Sequence, residues 1–247
     1  TAFASVNYKD ALTALGKAKI ARKFPLFAGI DLAGTVESSE EARFKAGDEV
    51  IVHSFGLGGE HDGGYAEIGR FPAEWVVPLP KGLTLFDASA LGVAGHTVGV
   101  GIDLMQLNGL TPGKGKVLVN GATGGAASVA IDILSGLGFH VVALTGKMHE
   151  ADYLRSLGAA EVIDRNAMQF GAGPGGTKPL ETAMWAGAVD SVGGEQLAWL
   201  IRTMQRDGVI TAFGNAGGNE FNGNVLPFIL RGVRVLGTNV DNPLEEK

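Results

Sequence analysis

The 247-residue chain contains no cysteine. Disulfide staples, thiolate nucleophiles and thiolate metal sites are therefore excluded, and a metal would have to rest on His, Asp, Glu and backbone oxygens. Such a composition suits a reducing cytoplasm, which is the expected location. A basic excess is also lacking: 20 Lys and Arg against 26 Asp and Glu give a net charge of −6. That balance argues against a nucleic-acid binder and for small-molecule partners. The most apolar run, Ala88 to Ile102, is short for a bilayer, is broken by glycines and carries His96, with Asp103 just after it. It reads as a helix of a soluble domain, with no membrane partner expected. Neither an initiator Met nor a signal-peptide pattern precedes Asp10, so the sequence is expected to be an internal piece of a longer chain. What is present is globular in character, with 45% hydrophobic and 19% charged residues and an abundance of glycine, 39 in all.

Those glycines concentrate where they matter in Lys116-Val-Leu-Val-Asn-Gly-Ala-Thr-Gly-Gly-Ala-Ala-Ser128. An apolar stretch runs into Gly121, Gly124 and Gly125, and Ala-rich sequence with helical spacing follows to Leu137, so the segment reads as strand, tight turn and helix. Gly121 permits the turn, Gly124 or Gly125 lets backbone approach a pyrophosphate, and Ala127 is small enough for close helix–strand packing. Unpaired amides at the helix start then meet the anion, with Thr123 and Ala126 in the same turn. A purely structural glycine turn is the alternative.

Before this motif, Gly29 to Val36, Gly47 to Val52, Tyr65 to Ile68 and Trp75 to Pro78 read as short strands bounded by turns, which suggests a small β-rich barrel. The proline-bearing Leu79 to Asp87 marks a domain boundary near residue 88, giving a first domain over 1–88 and a second over 89–247. Gly16 to Phe24 places four cations within nine residues, read as a solvated loop or as a site for a polyanionic tail. After the boundary, strands are predicted over 116–120, 139–144, 161–163, 186–192, 208–213 and 233–237, with helices between several of them. This alternation predicts an α/β, Rossmann-type, doubly wound parallel sheet. Phe170 to Pro179 is read as loop.

The cofactor is read from the end of the second strand of that sheet. An acid there would accept from the ribose hydroxyl of NAD, but the sequence continues Thr145-Gly146-Lys147. A hydroxyl plus a cation suits a 2′-phosphate, so NADP(H) is expected, with Arg165 as a second cation or else a solvated loop residue. Phe213-Gly214-Asn215 ends the fifth strand and is expected to line the nicotinamide pocket. His53 and His61 are eight residues apart but have no third ligand beside them, and no metal is expected. The strand Val233 to Gly237, rich in β-branched residues, would leave an open sheet edge, so a homodimer through it is expected, with an edge covered by other sequence as the alternative.

Asn7-Tyr-Lys-Asp-Ala-Leu12, Pro25 to Gly34 with Gly29-Ile-Asp-Leu-Ala-Gly34, Gly59-Glu-His-Asp-Gly-Gly-Tyr-Ala-Glu67, Gly92-Val-Ala-Gly95, Gly121 to Gly125 and Pro227-Phe-Ile-Leu-Arg231 together resemble the zinc-independent medium-chain dehydrogenase/reductase superfamily. Within it, they are most similar to the branch of acrylyl-CoA reductases and YhdH-type quinone oxidoreductases. The resemblance spans essentially the whole chain and implies a partial GroES-like catalytic domain before the Rossmann domain. It implies NADPH-dependent reduction of a short enoyl thioester such as acrylyl-CoA. Quinone or enone reduction is one alternative, and a noncatalytic NADP-binding protein is an alternative of another class. It also implies that Tyr8 orients nicotinamide or substrate and relays a proton, with Asn7 as its polar partner; Tyr8 as a packed aromatic is the plainer reading. Two positions depart from the family: Ala127 stands where glycine is usual, and His96 stands where an apolar residue is usual, with no role assigned to it.

Overall fold

A computed structural model describes residues 1–17, 19–171 and 178–240. Contacts divide the chain into two compact units, with Thr1–His96 in one and Thr97–Asn239 in the other.

In the first unit, helix α1 (Tyr8–Ala14) starts at Asn7, whose amide donates to the Asp10 carboxylate at 2.9 Å. An acid at the third helical position satisfies one of the amides that a helix start leaves open. Strands β1 (Asp31–Thr35), β2 (Glu49–His53) and β3 (Val76–Pro78) form an antiparallel sheet in that order. Leu32, Val52 and Leu57 are buried on it, with Phe71, Trp75 and Val76 packed around them. Three predicted strands are thus present, but Tyr65 to Ile68 is not a strand. Gly63, Gly64 and Tyr65 instead donate to Phe27, Gly29 and Ala28. A Cβ at Gly63 would fall 2.0 Å from Gly29 O, and one at Gly64 would fall 2.1 Å from Asp31 O. The two glycines thus allow a backbone approach too close for a regular ladder.

The basic Gly16 to Phe24 segment is partly spent inside this unit. Arg22 pairs with Glu60 at 3.0 Å and Lys23 with Asp62 at 3.7 Å. Half of its cations therefore tether the glycine-rich 58–62 turn, and residue 18 lies outside the described residues.

Helix α2 (Leu85–Leu107) runs through the division between the units and is broken at Gly92, with φ 50° and ψ −155°. Its 23 residues, which include an 18-residue window of mean hydropathy 1.3, are long and apolar enough to cross a membrane by length and composition. The break divides that length, and a straight piece ending at Leu107 is well short of the ~30 Å hydrocarbon core. In the second unit Val98, Ile102 and Met105 of this helix are buried in the main core.

The second unit carries a parallel sheet in the order β6-β5-β4-β7-β8-β9. Its strands are β4 (Lys116–Asn120), β5 (His140–Thr145), β6 (Glu161–Asp164), β7 (Trp185–Asp190), β8 (Met204–Ala212) and β9 (Arg234–Gly237). Helices α3 (Gly125–Gly136), α4 (Ala151–Ser156), α5 (Gly194–Thr203) and α6 (Leu226–Arg231) lie between them in sequence. Val117, Leu118 and Val119 are fully buried, as a central parallel strand covered on both faces must be. The six predicted strands are all present, and the order is that of a doubly wound sheet whose direction of winding reverses between β4 and β7. Residues 172–177 of the predicted 170–179 loop lie outside the described residues.

The arginine of Pro227-Phe-Ile-Leu-Arg231 is fixed by this fold. Its guanidinium donates to Arg202 O at 3.0 Å, Met204 O at 2.9 Å and Glu181 O at 2.6 Å. It thereby satisfies carbonyls where α5 ends and β8 begins.

Candidate functional site

The turn from β4 into α3 has the predicted form. Gly121 has φ 58°, and a Cβ there would fall 2.6 Å from Ser191 Oγ. Ala122 N donates to Leu144 O and Gly124 N to Gly121 O, which ties the turn to the end of β5 and back on itself. Gly124 caps α3 without a side-chain acceptor. The amides of Gly125, Ala126 and Ala127 begin a helix with no preceding turn to accept from them. Thr123 lies inside this turn. Ala127 is 1% exposed and packs in the main core, so its methyl is buried there.

At the tip of β5, Thr145 is buried and its Oγ1 accepts from Lys147 N at 3.0 Å. Its hydroxyl is thus turned into the loop, and Lys147 is exposed. Arg165, which follows β6, lies across Gly146: a Cβ on Gly146 would fall 2.8 Å from an Arg165 guanidinium nitrogen. Gly146, Lys147 and Arg165 therefore share one corner with two cations and no acid in the Thr145–Lys147 turn. The residues present fit an NADP 2′-phosphate on chemical grounds, since guanidinium and ammonium groups are strong partners for phosphate oxygens.

Sequence reasoning missed the buried polar network at the reversal point. Asn120 and Asp190, at the carboxyl ends of β4 and β7, are both 0% exposed. Asn120 Nδ2 donates to Asp190 Oδ1 at 2.5 Å, and Asn120 Oδ1 accepts from Ser191 N at 2.8 Å. Val192 N and Gly193 N donate to the Asp190 carboxylate at 3.2 and 3.1 Å. Burial pushes the Asp190 carboxyl above its ordinary value, although the donors from Asn120, Gly193 and Val192 pull the other way. The sequence signal was a polar residue closing each of two apolar strands. Their adjacency was not readable.

Phe213, Gly214 and Asn215 follow β8 beside this network. Phe213 N and Gly214 N both reach Asp190 O, at 3.1 and 3.4 Å. A Cβ on Gly214 would fall 1.9 Å from Ser191 O, so only glycine fits. Asn215 is exposed and donates from Nδ2 to Asn219 Oδ1.

In the first unit Tyr8 is 60% exposed. Asn7 directs its amide group toward a buried carboxylate, with Nδ2 donating to Ser5 Oγ at 2.8 Å and to Asp31 Oδ2 at 3.3 Å. Tyr65 OH donates to Ser5 O at 2.9 Å, and burial followed by the charges of Asp10 and Asp31 pushes its pKa up to about 12. His96 packs against His53 with ring centroids 4.6 Å apart. Among the described residues no group of three or more His, Asp or Glu stands close enough to hold a metal ion.

Residues 1–81 match the family described as alcohol dehydrogenase GroES-like domain, and residues 125–247 match the one described as zinc-binding dehydrogenase. The acrylyl-CoA reductase AcuI of Ruegeria pomeroyi is 44% identical over 235 residues, which cover 95% of this chain and 70% of the relative. YhfP of Bacillus subtilis is 47% identical over 236 residues, 96% of this chain and 70% of the relative. Its crystal structure, with NAD bound, matches 98% of this chain and 73% of its own with a TM-score of 0.91. The YhdH oxidoreductase of Salmonella enterica, solved in complex with NADP, is 41% identical and matches with a TM-score of 0.92 over 98% of this chain and 74% of that one. With a GroES-like unit, a doubly wound sheet and this degree of identity, the chain belongs to the medium-chain dehydrogenase/reductase superfamily, in the branch of the acrylyl-CoA reductases and YhdH-type quinone oxidoreductases, and is an oxidoreductase.

Proposed function

We propose that this chain is an NADPH-dependent reductase of the C=C bond of a short enoyl thioester such as acrylyl-CoA, working without a metal in the cytoplasm. The observation that carries the cofactor assignment is the corner of Lys147 and Arg165 around Gly146, where an NAD-selective site places an acid. The enoyl thioester is supported by the AcuI relative. The β4–α3 turn would hold NADPH, which when bound would supply the hydride for the β-carbon, while the α-carbon would take a proton. The amides of Gly125 and Ala126 hold the pyrophosphate, Phe213, Gly214 and Asn215 line the nicotinamide pocket, and Tyr8 with Asn7 orients the substrate and relays the proton. Without a Lewis acid, hydrogen-bond donors polarise the thioester carbonyl, which suits conjugate reduction better than alcohol oxidation. A homodimer through the edge strand 233–237 completes the reading.

Quinone reduction is the second reading, favoured by the name of the YhfP relative, a quinone oxidoreductase. A turnover panel with NADPH on acrylyl-CoA, simple enones and quinones separates the two. Faster turnover of quinone than of thioester overturns the first reading, and cofactor binding without any turnover overturns both. Chelators are expected to leave the rate unchanged.

A further inference from the structure

Asp31, the first residue of β1, is 2% exposed. Among the described residues it has no ion-pair partner within 4.0 Å. Its carboxylate is instead surrounded by hydrogen-bond donors from two other segments. Ser5 N donates to Oδ1 at 2.8 Å and Ser5 Oγ to Oδ2 at 2.5 Å, while Asn7 Nδ2 reaches Oδ2 at 3.3 Å. Asn7 Nδ2 also donates to Ser5 Oγ, so the chain of donors runs from Asn7 through Ser5 to the carboxylate with every proton placed in one sense. From the other side Val93 N donates to Oδ2 at 3.1 Å.

Val93 is the first residue after the break in α2, so the carboxylate sits at the start of the resumed helix, where its charge meets the positive end of the helix dipole. The break itself is shaped to this oxygen. A Cβ on Gly92 would fall 2.5 Å from Asp31 Oδ2 and 2.9 Å from Ser5 Oγ, and φ 50° disfavours any other residue. Tyr65 OH holds Ser5 O, so Ser5 is gripped at its amide, hydroxyl and carbonyl. Two residues later the chain enters α1, with Tyr8 as its first residue.

The geometry points to Asp31 as the positioning residue of the reaction: by gripping Ser5 and Asn7 against the break in α2, its carboxylate sets where Tyr8 is presented. This inference rests on the orienting role given to Tyr8 in the proposed function. Asp31 touches neither Tyr8 nor any group assigned to cofactor, and it acts through Ser5 and Asn7. The donors it gathers come from segments 26 and 62 residues away in sequence, which is why one carboxylate fixes a presentation that no local propensity dictates.

The test uses the whole chain labelled with meta-fluorotyrosine, because its only tyrosines are Tyr8, Tyr65 and Tyr153 and fluorine NMR resolves three signals. Asp31→Asn and Ser5→Ala are expected to shift or broaden the Tyr8 signal and leave Tyr153, in the other unit, unmoved. Both are expected to lower kcat about ten- to a hundredfold. The affinity for NADPH should not change, and the isotope effect with deuterated NADPH should rise. Ser5→Thr, which keeps the hydroxyl, should restore both signal and rate. Ser5→Ala serves as the milder variant if Asp31→Asn does not fold. A Ser5→Ala protein with an unmoved Tyr8 signal or a wild-type kcat overturns the inference. If the wild type turns over no enoyl thioester, the proposed function fails, while the Tyr8 signal still decides whether Asp31 positions it.

Discussion

Asn120 and Asp190 face each other across the point where the sheet reverses its winding, and their side chains are joined by a 2.5 Å hydrogen bond. Both are fully buried. The pair lies at the reversal point, where ligands of such sheets gather, directly behind the β4–α3 turn. Ser191 carries the effect outward, with its hydroxyl donating to Asn120 O and standing where a side chain on Gly121 would need to go.

The burial that raises the Asp190 pKa has a consequence for stability. A carboxyl whose folded pKa lies above its unfolded one stabilises the fold fully below the unfolded value, about pH 4, and loses that contribution as pH rises through the folded value. The Tm difference between wild type and Asp190→Asn is therefore expected to move against the wild type as pH rises from about 4 toward neutrality. Parallel Tm profiles for the two proteins over that range would refute the assignment.

Gly121→Ala combines a positive φ with a Cβ 2.6 Å from Ser191 Oγ. The backbone alone costs about 1 to 2 kcal/mol. Lower Tm and at least tenfold weaker cofactor binding are expected by calorimetry. Gly136→Ala, at the far end of α3 and meeting nothing within 4 Å, is the control and should bind nearly as the wild type.

NADPH is expected to bind at least tenfold more tightly than NADH. A charge-assisted contact contributes on the order of 1.5 to 3 kcal/mol, and Lys147 and Arg165 both stand at the corner where the phosphate would lie. Lys147→Ala and Arg165→Ala should weaken NADPH in fluorescence titrations and leave NADH unchanged. Equal affinities in the wild type would defeat this prediction, and the NAD-bound YhfP structure makes the comparison a sharp one.

Strand β9 pairs only with β8 among the described residues. Its Val235 is 36% exposed, and Ile229 and Leu230 of the preceding α6 are 69% and 49% exposed. An open apolar edge of this kind invites a second strand. Val235→Pro is expected to turn a dimer into a monomer in light scattering. A wild type that is monomeric at micromolar concentration would end the idea.

The sequence by itself determined the elements whose signal is local. The apolar run of β4 ending in Gly121, the helical spacing of α3 and the acid-free Thr145 to Lys147 turn were all readable, because strand and helix periods and the glycine requirement act over a few residues. Tyr65 to Ile68 shows the limit of that reading. Its pattern suits a strand, but Gly63 and Gly64 press the backbone against residues 28 to 31, and the ladder gives way to irregular pairing. Tertiary structure alone decided that Asn120 meets Asp190, that Arg165 lies over Gly146, and that Asp31 gathers Ser5, Asn7 and Val93. A buried carboxylate is solvated by whatever donors the topology brings to it, and strand order and chain crossings leave no periodicity in the sequence that feeds them.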